Sequence, residues 1–167
     1  MSAALPILGD HEQSTIRDAF AALERDVAVT LELGPSAAPV TLLAAGGREL
    51  DTNAATRAIV EAVCALGRLQ QAGTTSAGDR PRDSHEGIVR LAVLEHEEAG
   101  PWPRTTIAGP TGVGLLYLGM PAGYELATLV GAIIEAGRAE PGLSVATLDR
   151  VTELDRDVAI DVFVTPT

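Results

Sequence analysis

One side chain in this sequence could carry thiol chemistry, because the chain contains a single cysteine, Cys64. One cysteine excludes an internal disulfide framework. Cys64 falls well inside a predicted helix, about 140° around the helix axis from the apolar residue Ile59. We therefore expect it to lie off the apolar stripe and away from the helix N-terminus. Two interpretations stay open: an ordinary residue of the helix, or a redox-active or inter-unit thiol.

The histidines do not suggest a metal site. His11, His85 and His96 are scattered along the chain and lack the spacing of zinc ligands. His96 has glutamate on both sides, which is typical of a solvated strand end. We predict no metal ion and no other cofactor for this chain.

A glycine-rich stretch, Gly109-Pro-Thr-Gly112-Val-Gly114, has the spacing of some phosphate-binding loops. Such a loop needs a strand before it and a helix after it. Here strands are predicted on both sides, at 104–108 and 113–118, so the stretch is predicted to be the turn of a hairpin.

The positions of these residues depend on an alternation of predicted helices and strands. Apolar residues recur at helical spacing after Asp10, where Gln13 completes a capping pattern, after Thr52 and after Pro121. Asp51 or Thr52 would cap the second of these helices. Residues 40–44 are either a short strand or a loop. Alternating or β-branched residues predict five strands, at 27–33, 88–95, 104–108, 113–118 and 158–164.

The composition narrows the possible partners. Hydrophobic residues make up 46% of the 167 residues, which is enough for a packed core, and the net charge is −11. An acidic surface argues against nucleic acid and anionic membranes. No apolar run reaches the roughly 18 residues of a membrane span, and the first residues do not form a signal peptide. A cytoplasmic location is the expectation.

An internal repeat links the two ends of the chain. The heptapeptide Leu23-Glu-Arg-Asp-Val-Ala-Val29 resembles Leu154-Asp-Arg-Asp-Val-Ala-Ile160 at an offset of 131 residues. Both predicted contexts are a helix followed by a strand, and the second helix, at 143–154, would be capped by Ser144. A fixed offset indicates duplication. We expect one unit at 1–141 and the first helix and strand of a second at 142–167.

Three stretches resemble a known family: Trp102-Pro-Arg-Thr-Thr-Ile107, Gly119-Met-Pro-Ala-Gly-Tyr-Glu125, and the terminal Phe163-Val-Thr-Pro-Thr167. With the order of elements, they are similar to the glutaredoxin-like protein disulfide oxidoreductases and to the N-terminal region of the flavoprotein component of alkyl hydroperoxide reductase. The resemblance covers most of the chain and is weakest between 34 and 87. It implies an α/β fold, thioredoxin-like, with an extra N-terminal helix.

The same resemblance implies thiol–disulfide exchange, and it also shows what this chain lacks. That chemistry needs a thiolate at a helix N-terminus and a second cysteine three residues on. In the first unit, the equivalent positions fall on Ala37 and Val40, or near 52–55, and none carries a thiol. In the family, Cys-Pro-x-Cys would follow directly after Thr167. We therefore expect the chain alone to be inactive and the full-length protein to be an oxidoreductase.

The resemblance also places a substrate groove. Pro103 matches the cis-proline that pairs with substrate in this family, so the Trp102–Pro103 bond is predicted to be cis and the two residues to mark a vestigial groove. Trp102 would cover that groove, face a second unit or pack in the core. Asp161, in the last predicted strand, is either a proton acceptor near thiols or a solvent-facing residue.

Three functions follow from these expectations. The first is a redox-inactive scaffold or docking surface for a second thioredoxin-fold unit or redox partner protein. The second is the N-terminal part of an active disulfide reductase or peroxiredoxin-reducing shuttle. The third is a stand-alone interaction module, and a homodimer is compatible with each of them.

Overall fold

Ten elements are formed in the computed structural model, which describes residues 8–35, 40–42, 48–68, 88–112 and 114–162. The helices are α1 (Asp10–Phe20), α2 (Thr52–Arg68), α3 (Tyr124–Ala136) and α4 (Val145–Thr152). The strands are β1 (Val27–Leu33), β2 (Val40–Leu42), β3 (Arg48–Leu50), β4 (Val89–Glu95), β5 (Arg104–Ala108) and β6 (Gly114–Leu118).

Side chains and backbone at the helix starts explain where the helices begin. Asp51 Oδ1 accepts hydrogen bonds from the backbone of Asn53 (3.0 Å) and Ala54 (3.1 Å), and Ser144 caps α4. Both caps were predicted. At α1 the prediction was wrong by one residue, because Gly9 is the N-cap and its N–H donates to Glu12.

The main sheet has the order β4-β1-β5-β6. β1 is parallel to β4, with Val27 opposite Val89, and antiparallel to β5, with Glu32 opposite Arg104. Since a parallel pair needs a crossover, α2 provides it, as predicted. β5 and β6 form the predicted hairpin around Gly109–Gly112. The separate β2–β3 pair resolves the open choice at residues 40–44 in favour of a strand; β3 was not predicted.

The core lies on one face of this sheet. Odd-numbered residues of β1 point to that face and are buried together with residues of α1, α2 and α3. Helical residues of this core include Ile16, Phe20, Val60, Val63, Leu129 and Ile133. All three helices therefore cover the same side of the four strands. None of the helices in the described ranges is long and apolar enough to cross a membrane.

The opposite face of the sheet carries no helix among the described residues. In the register of the strands, this face is formed by the even-numbered residues, and we call it the open sheet face. Its apolar and small members are Ala28, Thr30, Ala92, Leu94, Thr106, Leu116 and Leu118. Leu116 and Leu118 are 54% and 56% exposed, so apolar surface stays in contact with water there.

The C-terminal part differs from its prediction. α4 forms where expected, but it has no buried residue. Residues 158–162 form no strand, so that part of the predicted strand at 158–164 is wrong, and residues 163–164 lie outside the described ranges. A β-prone sequence adopts a strand only where a neighbouring strand accepts its hydrogen bonds. The expectation that this segment adds to the first unit's sheet is also wrong for 158–162, and Asp161 there is exposed.

Candidate functional site at the Trp102–Pro103 edge

The candidate site lies at the edge where β1 ends, β5 begins and α2 starts. Pro103, directly before β5, is buried, and the Trp102–Pro103 peptide bond is cis, which confirms the prediction. The carbonyl of Pro103 accepts a hydrogen bond from the backbone of Gly119 (2.9 Å). On the other side, the Asn53 side chain donates to the carbonyl of Gly34 (2.8 Å). The first turn of α2 is thereby held beside the end of β1.

Trp102 lies across this edge. A Cβ at Gly34 would overlap the indole ring, and a Cβ at Gly100 would lie 2.7 Å from indole Cε2. The indole Nε1 donates to the carbonyl of Glu98 (2.9 Å). Of the three placements considered for Trp102, core packing is excluded, because the residue is only partly buried and lies outside the core cluster. The ring covers the position that follows β1.

His96 belongs to this edge, contrary to its prediction as a solvated strand end. Its ring stacks on Trp102, with ring centres 4.4 Å apart and planes 6° from parallel. Its Nε2 lies 3.2 Å from Glu32 Oε1, and its backbone N–H donates to the carbonyl of Leu33 (2.8 Å). The parallel register of β1 and β4 therefore places His96 beside the end of β1, and sequence spacing alone does not reveal that.

Glu32 and Arg104 complete the edge, and neither was singled out from the sequence. Arg104 donates from Nε to Glu32 Oε2 (2.6 Å) and from Nη2 to Oε1 (2.7 Å). This hydrogen-bonded guanidinium lowers the pKa of Glu32, against the opposing effect of burial, and Glu32 in turn raises the pKa of Arg104. The guanidinium carbon also lies 5.2 Å from the Trp102 ring centre. The available signal was a charged residue within an apolar strand.

Cys64 does not belong to this edge, and its predicted placement on α2 was wrong. It is 1% exposed and packs in the core. The buried residues of α2 follow helical spacing from Thr56 through Val60 to Cys64. Ile59, the residue used to locate the apolar stripe, is only partly buried. The thiol therefore faces the core from mid-helix, away from the helix N-terminus.

A second polar pair lies in the core, across β5 and β6. Thr105 and Tyr117 are directly opposite each other in the strand register. Thr105 Oγ1 and the Tyr117 hydroxyl are buried and make no hydrogen bond to the described residues. Burial, with the nearby charge of Glu125, raises the pKa of Tyr117 to about 12. This phenol is neutral at physiological pH.

The chemistry open to the Trp102–Pro103 edge is therefore limited. Its carboxylate is held in an ion pair, and no thiol lies in its first helical turn. Within the described ranges, no group of three or more His, Cys, Asp or Glu side chains is arranged to hold a metal ion. The edge is built to hold Trp102 in place, rather than to activate a nucleophile.

The fold defines a thioredoxin-like α/β unit with an added N-terminal helix. Two solved structures resemble it: the alkylhydroperoxide reductase AhpF of Enterococcus faecalis V583, and the NTD_N/C domain of that reductase. The TM-scores are 0.57 and 0.56, with 12% identity in both cases and 88% and 86% of this chain covered. The matched regions are 61% and 59% of those chains, so this chain spans about three fifths of their length. No protein-family model and no curated protein matches the sequence.

Proposed function

We propose that this chain is a thioredoxin-like unit that does not exchange disulfides itself and that serves as the scaffold and docking surface of a redox unit. The observation that carries the proposal is the open sheet face. A sheet that buries one face under three helices and leaves Leu94, Leu116 and Leu118 exposed on the other has an apolar surface suited to a partner.

The absence of thiols from the edge supports an inactive first unit. A disulfide-exchanging cysteine needs the N–H groups and dipole of a helix start, and the first turn of α2 carries none. The thiol of Cys64 is buried three turns further along the helix. Electrons would therefore have to pass through a different unit.

The preferred partner is a second thioredoxin-like unit that begins with residues 142–167. The internal repeat supports this choice, because equivalent residues of the two copies have opposite burial. Val29 is 1% exposed, whereas Ile160, which is equivalent at the 131-residue offset, is 81% exposed. Leu23 and Leu154 differ in the same sense. Residues that build a core in the first copy lack one in the second, so a completed second unit would bury them.

The whole protein is, on this proposal, a disulfide reductase of the kind that reduces a peroxiredoxin. The similar structures belong to a reductase named for alkyl hydroperoxides, and this chain spans only part of their length. In such a protein, a Cys-Pro-x-Cys sequence after Thr167 would provide the thiols. The first unit would hold the second in position.

Reading the gene beyond the codon for Thr167 tests this proposal directly. We expect Cys-Pro-x-Cys immediately after it and a further α/β unit. In the full-length protein, hydrogen exchange at β4 and β6 should be slower than in the 167-residue chain, because the open sheet face is covered.

A double variant in the full-length protein sharpens the test. Leu116→Asp with Leu118→Asp should remove the added protection, whereas Tyr124→Asp, at a residue exposed elsewhere, should keep it. Equal exchange in the long and short chains would contradict docking on this face.

A further inference from the structure

We propose that Trp102 is a fixed plug that fills the groove beside Pro103 and keeps extended peptides out of the first unit. The inference rests on the proposed function in one respect: it leaves the open sheet face as the surface on which the unit binds a partner. The groove in question is bounded by Gly34 at the end of β1, the start of β5 and the loop from His96 to Pro103.

Two glycines make room for the plug. Gly34 and Gly100 contact the indole so closely that a methyl group on either would have to displace it. Neither glycine has the positive φ that would by itself favour glycine. The missing side chains therefore serve the fit of the ring, rather than a turn of the backbone.

Three independent contacts hold the ring. Its N–H is bonded to the carbonyl of Glu98, one contact is the stacked ring of His96, and the guanidinium of Arg104 lies near its centre. Arg104 and His96 are both tied to Glu32, which is buried in β1. The plug is thus fixed to the sheet itself.

The backbone of the groove is engaged as well. An extended peptide that adds to a sheet edge needs free N–H and carbonyl groups on that edge. The N–H of Trp102 donates to the carbonyl of Gly100 (2.9 Å). A peptide would have to break this hydrogen bond in addition to displacing the indole.

The fluorescence of the single tryptophan tests the position of the plug. In the 167-residue chain we expect weak quenching by acrylamide. Gly34→Ala should push the ring into solvent, with red-shifted emission and stronger quenching. Gly131→Ala is the matched control, because nothing lies within 4 Å of its added Cβ. Strong quenching in the unchanged chain, or no effect of Gly34→Ala, would overturn the proposal.

Peptide binding tests the exclusion. The probe is reduced, carboxymethylated insulin B chain, an extended peptide that cannot exchange disulfides. Trp102→Ala should bind it about tenfold or more tighter than the unchanged chain. Leu154→Ala, which truncates an exposed side chain outside the groove, should bind as the unchanged chain does. Equal binding by Trp102→Ala and the unchanged chain would overturn the exclusion.

The two proposals fail separately. If Trp102→Ala does not fold, the quenching of Gly34→Ala still decides the position of the plug. The variants at Leu116 and Leu118 should leave both the quenching of Trp102 and the peptide affinity unchanged. A failure of sheet-face docking would therefore leave these two results intact, and the reverse also holds.

Discussion

The two oxygens of the Glu32 carboxylate accept hydrogen bonds from two nitrogens of Arg104, at 2.6 and 2.7 Å. The two residues are directly opposite each other in the antiparallel pair β1–β5. A carboxylate buried in a strand is stable there because this bidentate partner satisfies it. The pair connects the sheet to Trp102 and His96.

The Glu32–Arg104 pair predicts a specific pH dependence. The pair lowers the pKa of Glu32 below its ordinary value of 4.5, so the ionised form stabilises the fold above that pH. This contribution is lost as the pH falls through the lowered pKa. Glu32→Gln should therefore lower the midpoint of urea unfolding at pH 7, and the difference from the unchanged chain should shrink below about pH 4.

Glu97→Gln is the control for this experiment, since Glu97 is exposed in the neighbouring loop. It should leave the urea midpoint at pH 7 nearly unchanged. A difference between Glu32→Gln and the unchanged chain that is the same at every pH would contradict the assignment to the ion pair.

The Tyr117 hydroxyl predicts a substitution with little effect. Because it is buried and has no hydrogen-bond partner among the described residues, Tyr117→Phe should change the free energy of unfolding by less than about 1 kcal/mol. Urea unfolding at pH 7 measures this. A loss of several kcal/mol would mean that the hydroxyl makes a hydrogen bond in solution.

Ionisation of the same phenol should appear only at high pH. Its raised pKa of about 12 favours the neutral form in the folded state. The stabilisation is complete below the unfolded pKa of about 10 and is lost as the pH rises from there. The part of the 295 nm absorbance change that is missing in Tyr117→Phe should therefore be centred near pH 12. A midpoint near 10 would disprove the raised pKa.

Cys64 should be chemically silent in the native chain. Its thiol is buried in α2, so a thiol reagent such as DTNB should react slowly in buffer and rapidly in denaturant. One thiol cannot both attack and resolve a disulfide, so the 167-residue chain should not reduce insulin. Turnover that Cys64→Ser abolishes would show that this thiol is active.

The internal repeat provides a matched pair of truncations. In the 167-residue chain, Val29→Ala should lower the free energy of unfolding by about 2–3 kcal/mol, because it leaves a cavity in the core. Ile160→Ala should change it by less than about 0.5 kcal/mol, because that side chain is exposed. In a full-length protein with a second unit, both should destabilise. A large effect of Ile160→Ala in the short chain would mean that the segment is packed.

Local patterns were sufficient for most of the fold. The alternation of Val27–Leu33, the helical spacing after Thr52 and the caps at Asp51 and Ser144 each depend on neighbours in the chain. Such signals operate within a few residues, and the structure confirms them. The resemblance of short stretches added the thioredoxin-like topology, which spacing alone does not determine.

The errors have a common physical origin. The segment at 158–162 has the sequence of a strand, but a strand needs a partner, and none of the described residues provides one. The position of Cys64 was inferred from Ile59, which is not at the centre of the buried stripe. Only packing against the sheet decides which side of a helix with several apolar residues turns inward.

The sequence by itself determined the class of the fold, the start of most of its elements and the absence of a thiol pair. The tertiary structure decided which distant residues meet. Glu32, His96, Trp102 and Arg104 come from β1, the end of β4 and the start of β5. They are brought together by the register of two strand pairings, and register depends on contacts between segments far apart in the chain. No local spacing encodes it, which is why this cluster was visible only in three dimensions.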